Sequence, residues 1–136
     1  MKSAPLAFLF SLLFLVACGV GPEPESLEGE ENAAAVVNAF LRALEAEDFD
    51  KAKQFLYSKP DYILRDLAHC RDLFFSEEAT GISVMQVGHE EYGHKWQIFV
   101  DVKINYGPRM KQLHFVLAPD EIPKLRGVNP IVPIDP

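Results

Sequence analysis

The sequence predicts an α+β domain in which N-terminal helices pack on a curved antiparallel sheet. One observation is a helical period, because apolar residues recur at i, i+3, i+4 and i+7 from Val37 to Leu44. A second is the change to a period of two after Gly81, where apolar and polar residues alternate. Helices come first and strands second along the chain, so the two kinds of element are expected to segregate.

Three helices are predicted before Gly81. Asn32 is a candidate N-cap for the first, which runs from Ala33 to Ala46. Asp48 or Asp50 caps the second, and Asp61 is expected to cap the third. The apolar stripe of the third helix comprises Ile63, Leu67, Cys70, Leu73 and Phe74.

Alternation predicts a short strand at 82–87 and a longer one from Trp96 to Tyr106. Two registers stay open for the first, since Ile82 with Val84 and Met85 with Val87 are equally apolar pairs. The turn at 107–110 leads into a further strand over 113–117, and a four-residue loop there sets the register. The predicted pairs are Ile104 with Leu113, Val102 with Phe115, and Val100 with Leu117.

Five prolines lie in residues 119–136. Proline cannot donate a hydrogen bond to a sheet ladder. We therefore predict a proline-rich C-terminal tail, with Val128 to Ile134 at best an edge strand. The α+β domain itself is expected over 32–118.

The N-terminus has the features of a targeting segment. Lys2 precedes the apolar segment Leu6 to Val16, which is too short for a membrane span of about 20 residues. Leu15-Val16-Ala17-Cys18 resembles the lipobox of bacterial lipoproteins. The resemblance implies that residues 1–17 are a signal peptide, that cleavage precedes Cys18, and that Cys18 carries lipid. Gly19, where aspartate would favour retention in the inner membrane, points to the outer membrane if one exists.

The mature chain is acidic. Residues 18–31 combine the lipidated cysteine with glutamates, prolines and glycines, and we expect a flexible tether that does not pack. The formal net charge of −7 argues against nucleic-acid binding, which depends on Lys and Arg. It also argues against electrostatic attachment to anionic lipid, so the membrane contact is expected to be covalent.

With Cys18 lipidated, Cys70 lacks an intramolecular partner, and no disulfide framework is expected. Its place on the apolar helix stripe favours a space-filling role. A nucleophilic thiol beside Arg71 and an intermolecular disulfide are the alternatives.

The segment AAAVVNAFLRALEAEDFDKAKQFL resembles the opening of nuclear transport factor 2-like domains, in particular their uncharacterised bacterial lipoprotein branch. The resemblance covers residues 33 to about 118 and implies a cone, in which a curved sheet wraps the helices. The usual final Gly-x-Trp-x-Ile strand is absent, and Lys124 to Val128 stands in its place. The same segment also resembles one tetratricopeptide unit, but such repeats need about three units.

Some relatives of the cone fold are isomerases, hydratases or cyclases, whose sites need an inward acid. The inward face holds Trp96 and Tyr106 but no acid, since Asp101 points the other way. Candidate pocket-lining residues at the open end of the cone are aromatic, and plain core packing is the competing interpretation. These residues are Tyr62, Trp96, Tyr106 and Phe115.

His89 to His94 gathers two imidazoles and two carboxylates, which zinc accepts as ligands. The segment joins two strands and contains Gly93, so we interpret it as a solvated hairpin loop. We predict no catalytic residue, no metal site and no bound cofactor.

The expected function is that of an envelope lipoprotein on the outer side of the cytoplasmic membrane, or on the outer membrane. Its domain would bind a small apolar ligand or an envelope protein. The alternatives are a small enzyme of the cone fold and a purely structural envelope component. An open, occupied pocket would favour a ligand, and a filled interior with an exposed apolar patch would favour a protein partner.

Overall fold

The computed structural model describes residues 21–134. The described chain contains helices and one four-stranded antiparallel sheet in the order β1-β2-β3-β4, so the α+β prediction is confirmed. No helix in this part of the chain has the length and hydropathy to cross a membrane. The elements are a 3-10 turn (Glu30–Asn32), α1 (Ala33–Glu45), α2 (Phe49–Lys53), α3 (Tyr62–Arg65), α4 (Leu67–Phe75), β1 (Gly81–Tyr92), β2 (Lys95–Asn105), β3 (Met110–Ala118) and β4 (Lys124–Ile134).

Helix α1 follows its predicted span to within one residue and supplies the centre of the core. Its apolar face, which includes Val37, Leu41 and Leu44, is fully buried. Phe40 meets Phe115 of the sheet edge to face, with ring centroids 6.2 Å apart. An aromatic pair of this geometry adds about 0.5–1.5 kcal/mol to what burial alone provides.

Side-chain capping differs from the prediction at two of the helices. Asn32 stands at the start of α1 but makes no side-chain cap bond, since its backbone is helical (φ −96°, ψ −8°) where a capping residue is usually extended. Its Nδ2 donates to the backbone oxygen of Glu121. Asp48 caps α2 as predicted by accepting from the backbone nitrogen of Lys51. Asp61 caps nothing.

The single third helix predicted from Asp61 onward is wrong. Asp66 adopts an extended backbone conformation and breaks the segment into α3 and α4. Its carboxylate then caps α4 by accepting from the backbone nitrogen of His69 at 3.0 Å. The local preference of aspartate for caps over helix interiors explains the break.

A β-bulge in β1 explains why neither register could be chosen from the sequence. The ladder pairs Val84 with Val102 and Gln86 with Asp101, so Met85 is the extra residue. Because the bulge shifts the alternation by one residue, Val84 and Val87 both lie on the same side of the sheet as Val102 and Val100, although both stay more than one third exposed. Each proposed register therefore describes one side of the bulge.

The predicted β2–β3 register is wrong by two residues. Phe115 pairs with Val100, and Leu113 pairs with Val102. The turn is one residue earlier than expected, since the nitrogen of Tyr106 bonds the oxygen of Arg109. A shift of two preserves the faces of every side chain, so the assignment of apolar residues to one face still holds.

The segment predicted as a proline-rich tail contains the fourth strand. Residues 124–134 pair with β3, and the outer edge of β4 is partly covered by the chain between α2 and α3. There, Leu125 donates to Phe55 (2.9 Å) and accepts from Tyr57 (2.8 Å). The prolines are tolerated because β4 is an edge strand.

The second half of the predicted tether is part of the domain. Leu27 packs against the core although it lies among glutamates. Gly29 is buried with φ 82°, and a Cβ there would collide with the backbone oxygen of Asp120. An acidic composition did not prevent one leucine and one glycine from docking.

Candidate functional site

The sheet has one face on the helices and one face turned away from them. Side chains on the second face alternate with the core residues, as predicted for Asp101. Two of them are nevertheless buried, since Gln97 is 3% exposed and Val116 is 2% exposed. This outer face therefore carries a small packed layer of its own.

His114 lies on the outer face between two carboxylates. Its Nδ1 is 2.6 Å from Asp101 Oδ1, and its Nε2 is 2.7 Å from Glu90 Oε1. Its ring stacks on Phe99 with centroids 5.4 Å apart. The three polar residues come from three neighbouring strands. The register pairs Asp101 with His114, whereas Glu90 is paired with Gln97 and reaches His114 diagonally across the sheet.

These contacts determine what His114 can do. Burial lowers the pKa of His114. The hydrogen bonds and charges of Glu90 and Asp101 together raise it by more than burial lowers it, so the net pKa is raised. When the imidazole is protonated, both ring nitrogens donate to carboxylates, and neither carries a lone pair for a metal or a substrate proton. In this arrangement His114 is an ion-pair centre rather than a general base.

Arg126 forms a second cluster where β4 is bulged. Its guanidinium lies over the rings of Tyr57 (4.9 Å to the centroid) and Tyr92 (5.8 Å). Nη1 donates to Oε1 of the buried Gln97 at 3.3 Å. A cation between two aromatic faces is stabilised by about 0.5–2 kcal/mol, depending on desolvation.

The Arg126 cluster joins the two edges of the sheet. Tyr92 at the end of β1 donates through its hydroxyl to Asp61, which lies beside β4. The backbone nitrogen of Asp61 donates to the oxygen of Arg126 at 2.7 Å. Gly127 leaves room for the Asp61 carboxylate, which any Cβ at that position would displace.

A third cluster ties the N-terminal segment to the sheet. His89 Nδ1 is 2.8 Å from Glu30 Oε1, and Nε2 is 3.2 Å from Glu23 Oε1. The hydrogen bond with Glu30 is the main cause that raises the pKa of His89. The ring also meets Trp96 edge to face, with centroids 5.6 Å apart. The cluster holds residues 23–30 against the domain.

Three surface clefts are described, and their charges differ. One of about 440 Å³ includes Glu45, Glu77 and Glu78, and another of about 440 Å³ includes Glu30 and Glu31. The third, of about 370 Å³, has two cations and none of the described carboxylates among its lining residues. It is lined by Lys53, Leu56, Tyr57, Ser58, Pro60 and Arg65.

Strand β1 is the uncovered edge of the described sheet. Met85 at the bulge is 54% exposed, and Val84 and Val87 are exposed as well. No residue between Gly81 and Gly88 is charged. An apolar edge of this kind, without the lysines or prolines that usually block strand addition, is a candidate contact surface.

The four aromatic residues predicted as pocket lining lie in different surroundings. Phe115 is fully buried against Phe40, as core packing requires, and Tyr62 is 78% exposed on α3. Tyr106 is partly buried and donates to the backbone oxygen of Phe74, and burial raises its pKa to about 12. Trp96 lies beside His89, and its buried Nε1 has no hydrogen-bond partner among the described residues.

The two other reactive candidates are also engaged. Cys70 is buried on α4, and its Sγ lies 2.9 Å from the oxygen of Ile63. Burial raises the pKa of this thiol to about 11. Within the described residues, no group of three or more His, Cys, Asp or Glu side chains is arranged to hold a metal ion. Cys18 lies outside the described residues.

The interpretation of His89 to His94 as a hairpin loop is wrong for most of its length. His89 to Tyr92 continue β1, and only Gly93 and His94 form the turn. Strand alternation then sends His89 to the helix side and Glu90 to the outer face. This separation prevents the segment from acting as one ligand cluster.

Some of these clusters could have been found from the sequence and others not. Asp101 and His114 sit on the polar face of alternating strands, and the correct register would have placed them side by side. Arg126 gave no such signal, because a bulge in β4 sets its direction.

Comparison with protein-family models, with curated proteins and with solved structures finds no match for this chain.

Proposed function

We propose that this protein is an envelope lipoprotein, anchored through lipid on Cys18, whose domain is a non-enzymatic binding module. The support for the anchor is the lipobox-like Leu15 to Cys18 directly after a signal-like apolar segment. Two or more acyl chains are needed for stable anchoring, because one chain binds only marginally. A bacterial lipoprotein of this type carries three.

The packed N-terminal segment bears on how the domain would be held. Eight residues lie between Cys18 and Leu27, and Leu27 is the first of the described residues that packs on the core. Fully extended, the nine-residue step from Cys18 to Leu27 spans about 30 Å. The ion pair of Glu23 with His89 shortens the free stretch further. The domain would therefore stand close to the bilayer surface.

The observation that carries the binding role is the distribution of apolar surface. The interior is filled, with Phe40, Phe74 and Phe115 all at most 1% exposed. Apolar side chains are uncovered instead along β1, at Val84, Met85 and Val87. A filled interior with an apolar edge supports a protein partner over a ligand enclosed in the core.

The enzyme alternative has weaker support. The imidazole of His114 has both nitrogens engaged by carboxylates, and the thiol of Cys70 is buried with a raised pKa. A cone-fold enzyme of the nuclear transport factor 2-like type would use an inward acid, and Asp101 faces outward. We also propose that the domain belongs to that family and that its sheet curves into a cone.

The anchor is tested with Cys18→Ser and the matched variant Cys70→Ser. We expect Cys18→Ser to leave an unprocessed precursor, because the lipid acceptor is lost, whereas Cys70→Ser is processed and fractionates with membranes. Mass spectrometry of the N-terminal peptide reads out lipid directly. Wild-type protein that is washed free by buffer, with residue 18 unmodified, would refute the anchor.

The binding role is tested by site-specific photocrosslinking in intact cells. A photoreactive residue at position 85, on the β1 edge, should give a discrete adduct that Val84→Ser and Val87→Ser weaken. The same group at position 62, which is more exposed (78% against 54% for Met85) but lies on α3, should not. Adducts of equal yield at both positions, or none at 85, would count against β1 as the contact surface.

A further inference from the structure

The cleft of about 370 Å³ between the end of α2 and α3 has walls of two kinds. Leu56, Tyr57 and Pro60 provide apolar surface, and Lys53 and Arg65 provide positive charge. Its volume lies near the lower end of the ~300–1,000 Å³ that ligand pockets span. The size suits a small molecule rather than a protein segment.

The apolar wall is held in place by the sheet. The backbone nitrogen of Tyr57 donates to Leu125 at 2.8 Å, and its ring lies under the Arg126 guanidinium. Arg126 therefore places a third cation behind the wall. A ring fixed from the backbone and from one face loses little freedom when a ligand covers the rest.

The charged rim is also oriented. Arg65 uses Nε to donate to the oxygen of Pro60 at 2.9 Å, which leaves its terminal N–H groups available. Neither Lys53 nor Arg65 forms an ion pair with any carboxylate of the described residues. Nearby, Lys124 is held by the backbone oxygen of Gln54 at 3.0 Å.

The charge of this cleft stands out against the whole chain. The protein has a net charge of −7, and the other two clefts described are lined by two or three glutamates each, with Arg71 as the one cation among their lining residues. An anion is repelled from those clefts and attracted to this one. The apolar wall adds a preference for an anion with an apolar body.

We propose that this cleft binds a small amphipathic acid, with its carboxylate between Lys53 and Arg65 and its apolar body against Leu56, Tyr57 and Pro60. Charge-assisted hydrogen bonds from a guanidinium to a carboxylate are among the strongest that proteins make. The site is distinct from the β1 edge and does not depend on lipid at Cys18. Failure of the anchoring test therefore leaves it unaffected.

The test titrates the full chain with octanoate and with octanol, in the same detergent for every sample, by calorimetry. Lys53→Glu/Arg65→Glu should weaken octanoate binding by about tenfold or more, since hydrogen bonds to charged groups are lost and repulsion is added. Lys95→Glu/Lys103→Glu on β2 changes the net charge equally and should leave binding unchanged. Octanol should bind weakly and alike in all variants.

Other outcomes would overturn the proposal. They are octanoate binding of equal strength in Lys53→Glu/Arg65→Glu and wild type, a wild type that binds octanol as well as octanoate, or a wild type that binds neither. Thermal melts show whether each variant is folded. The milder Lys53→Gln/Arg65→Gln should lose part of the octanoate affinity. If its affinity is unchanged, and the folded Lys53→Glu/Arg65→Glu variant also binds octanoate normally, the cleft is excluded as the binding site.

Discussion

Single residues that look reactive in the sequence are each occupied by a neighbour in the fold. His114 is held between Glu90 and Asp101, and His89 is held by Glu30. Cys70 is buried with its sulfur near the oxygen of Ile63. Each is a nucleophile, base or ligand by chemical type, but its contacts give it a structural role.

The state of Cys70 gives a prediction at this scale. Because burial raises its pKa to about 11, almost no thiolate exists near pH 8, and the folded chain also shields the sulfur. We expect a thiol reagent such as a disulfide-exchange dye to modify Cys70 slowly in the native protein and rapidly in urea. Cys70→Ala identifies the signal, and rapid native modification at position 70 would contradict the burial.

At the scale of the elements, a bulge and a tightly docked loop set side-chain directions and contacts that the regular periodicity of the sequence does not reveal. The bulge at Met85 places both Val84 and Val87 on the same side of the sheet. The loop around Gly29 closes over the 119–123 connection, where a Cβ would overlap the backbone oxygen of Asp120. Both features are local departures that let a regular sheet meet an irregular neighbour.

Gly29 and Gly107 provide a matched pair for a stability prediction. Both have a positive φ, at 82° and 83°, but a Cβ at Gly107 would meet nothing within 4 Å. Gly107→Ala should cost about 1 kcal/mol from the left-handed backbone alone. Gly29→Ala should cost about 3 kcal/mol, because the overlap with a backbone atom adds to that strain.

Urea unfolding of the two alanine variants measures this difference. If both lose the same stability, the segment from Leu27 to Glu30 is not docked as described. That result would instead support the prediction from composition that this stretch is a free tether.

At the scale of the whole molecule, two imidazoles connect parts that are distant in sequence. His89 joins the N-terminal segment to β1, and His114 joins the outer faces of β1, β2 and β3. Both have pKa values raised above the ordinary value, through their carboxylate partners. Folding therefore favours their protonated forms.

The sign of the pH dependence follows from linkage. For groups whose folded pKa exceeds the unfolded value of about 6.5, the added stability is full below that pH and is lost as pH rises through the folded pKa values. We expect the urea midpoint of the wild type to decrease as the pH is raised above about 6.5. His89→Gln/His114→Gln should flatten this slope.

His94→Gln is the control for the imidazole experiment, since His94 is exposed in the β1–β2 turn. It should leave the slope as in the wild type. A slope that survives in the double variant would show that other groups carry the pH dependence.

Much of the fold follows from local sequence. Helix α1 is predicted to within one residue, and the faces of β2 and β3 are predicted correctly from alternation. The register is wrong by two residues, because the position of the turn and not the apolar pattern sets it, and a shift of two leaves the pattern unchanged. The strand at Lys124 was obscured by prolines that an edge position tolerates.

The candidate sites follow less well. The cleft of Lys53 and Arg65 depends on the chain after α2 docking along β4, a contact between residues about seventy apart. Arg126 reaches Tyr57, Tyr92 and Gln97 because of a bulge. Neither arrangement has a periodic signature.

The sequence by itself determined the class of fold, the apolar faces and the acidic balance, because these depend on local period and composition. It also supplies the basis for the proposed anchor at Cys18. Only the tertiary structure decided which polar side chains meet, since turn lengths, bulges and long-range docking set those distances. That is why Arg126 and His114 meet their partners only in the folded chain, and why only the fold leaves the terminal N–H groups of Arg65 available.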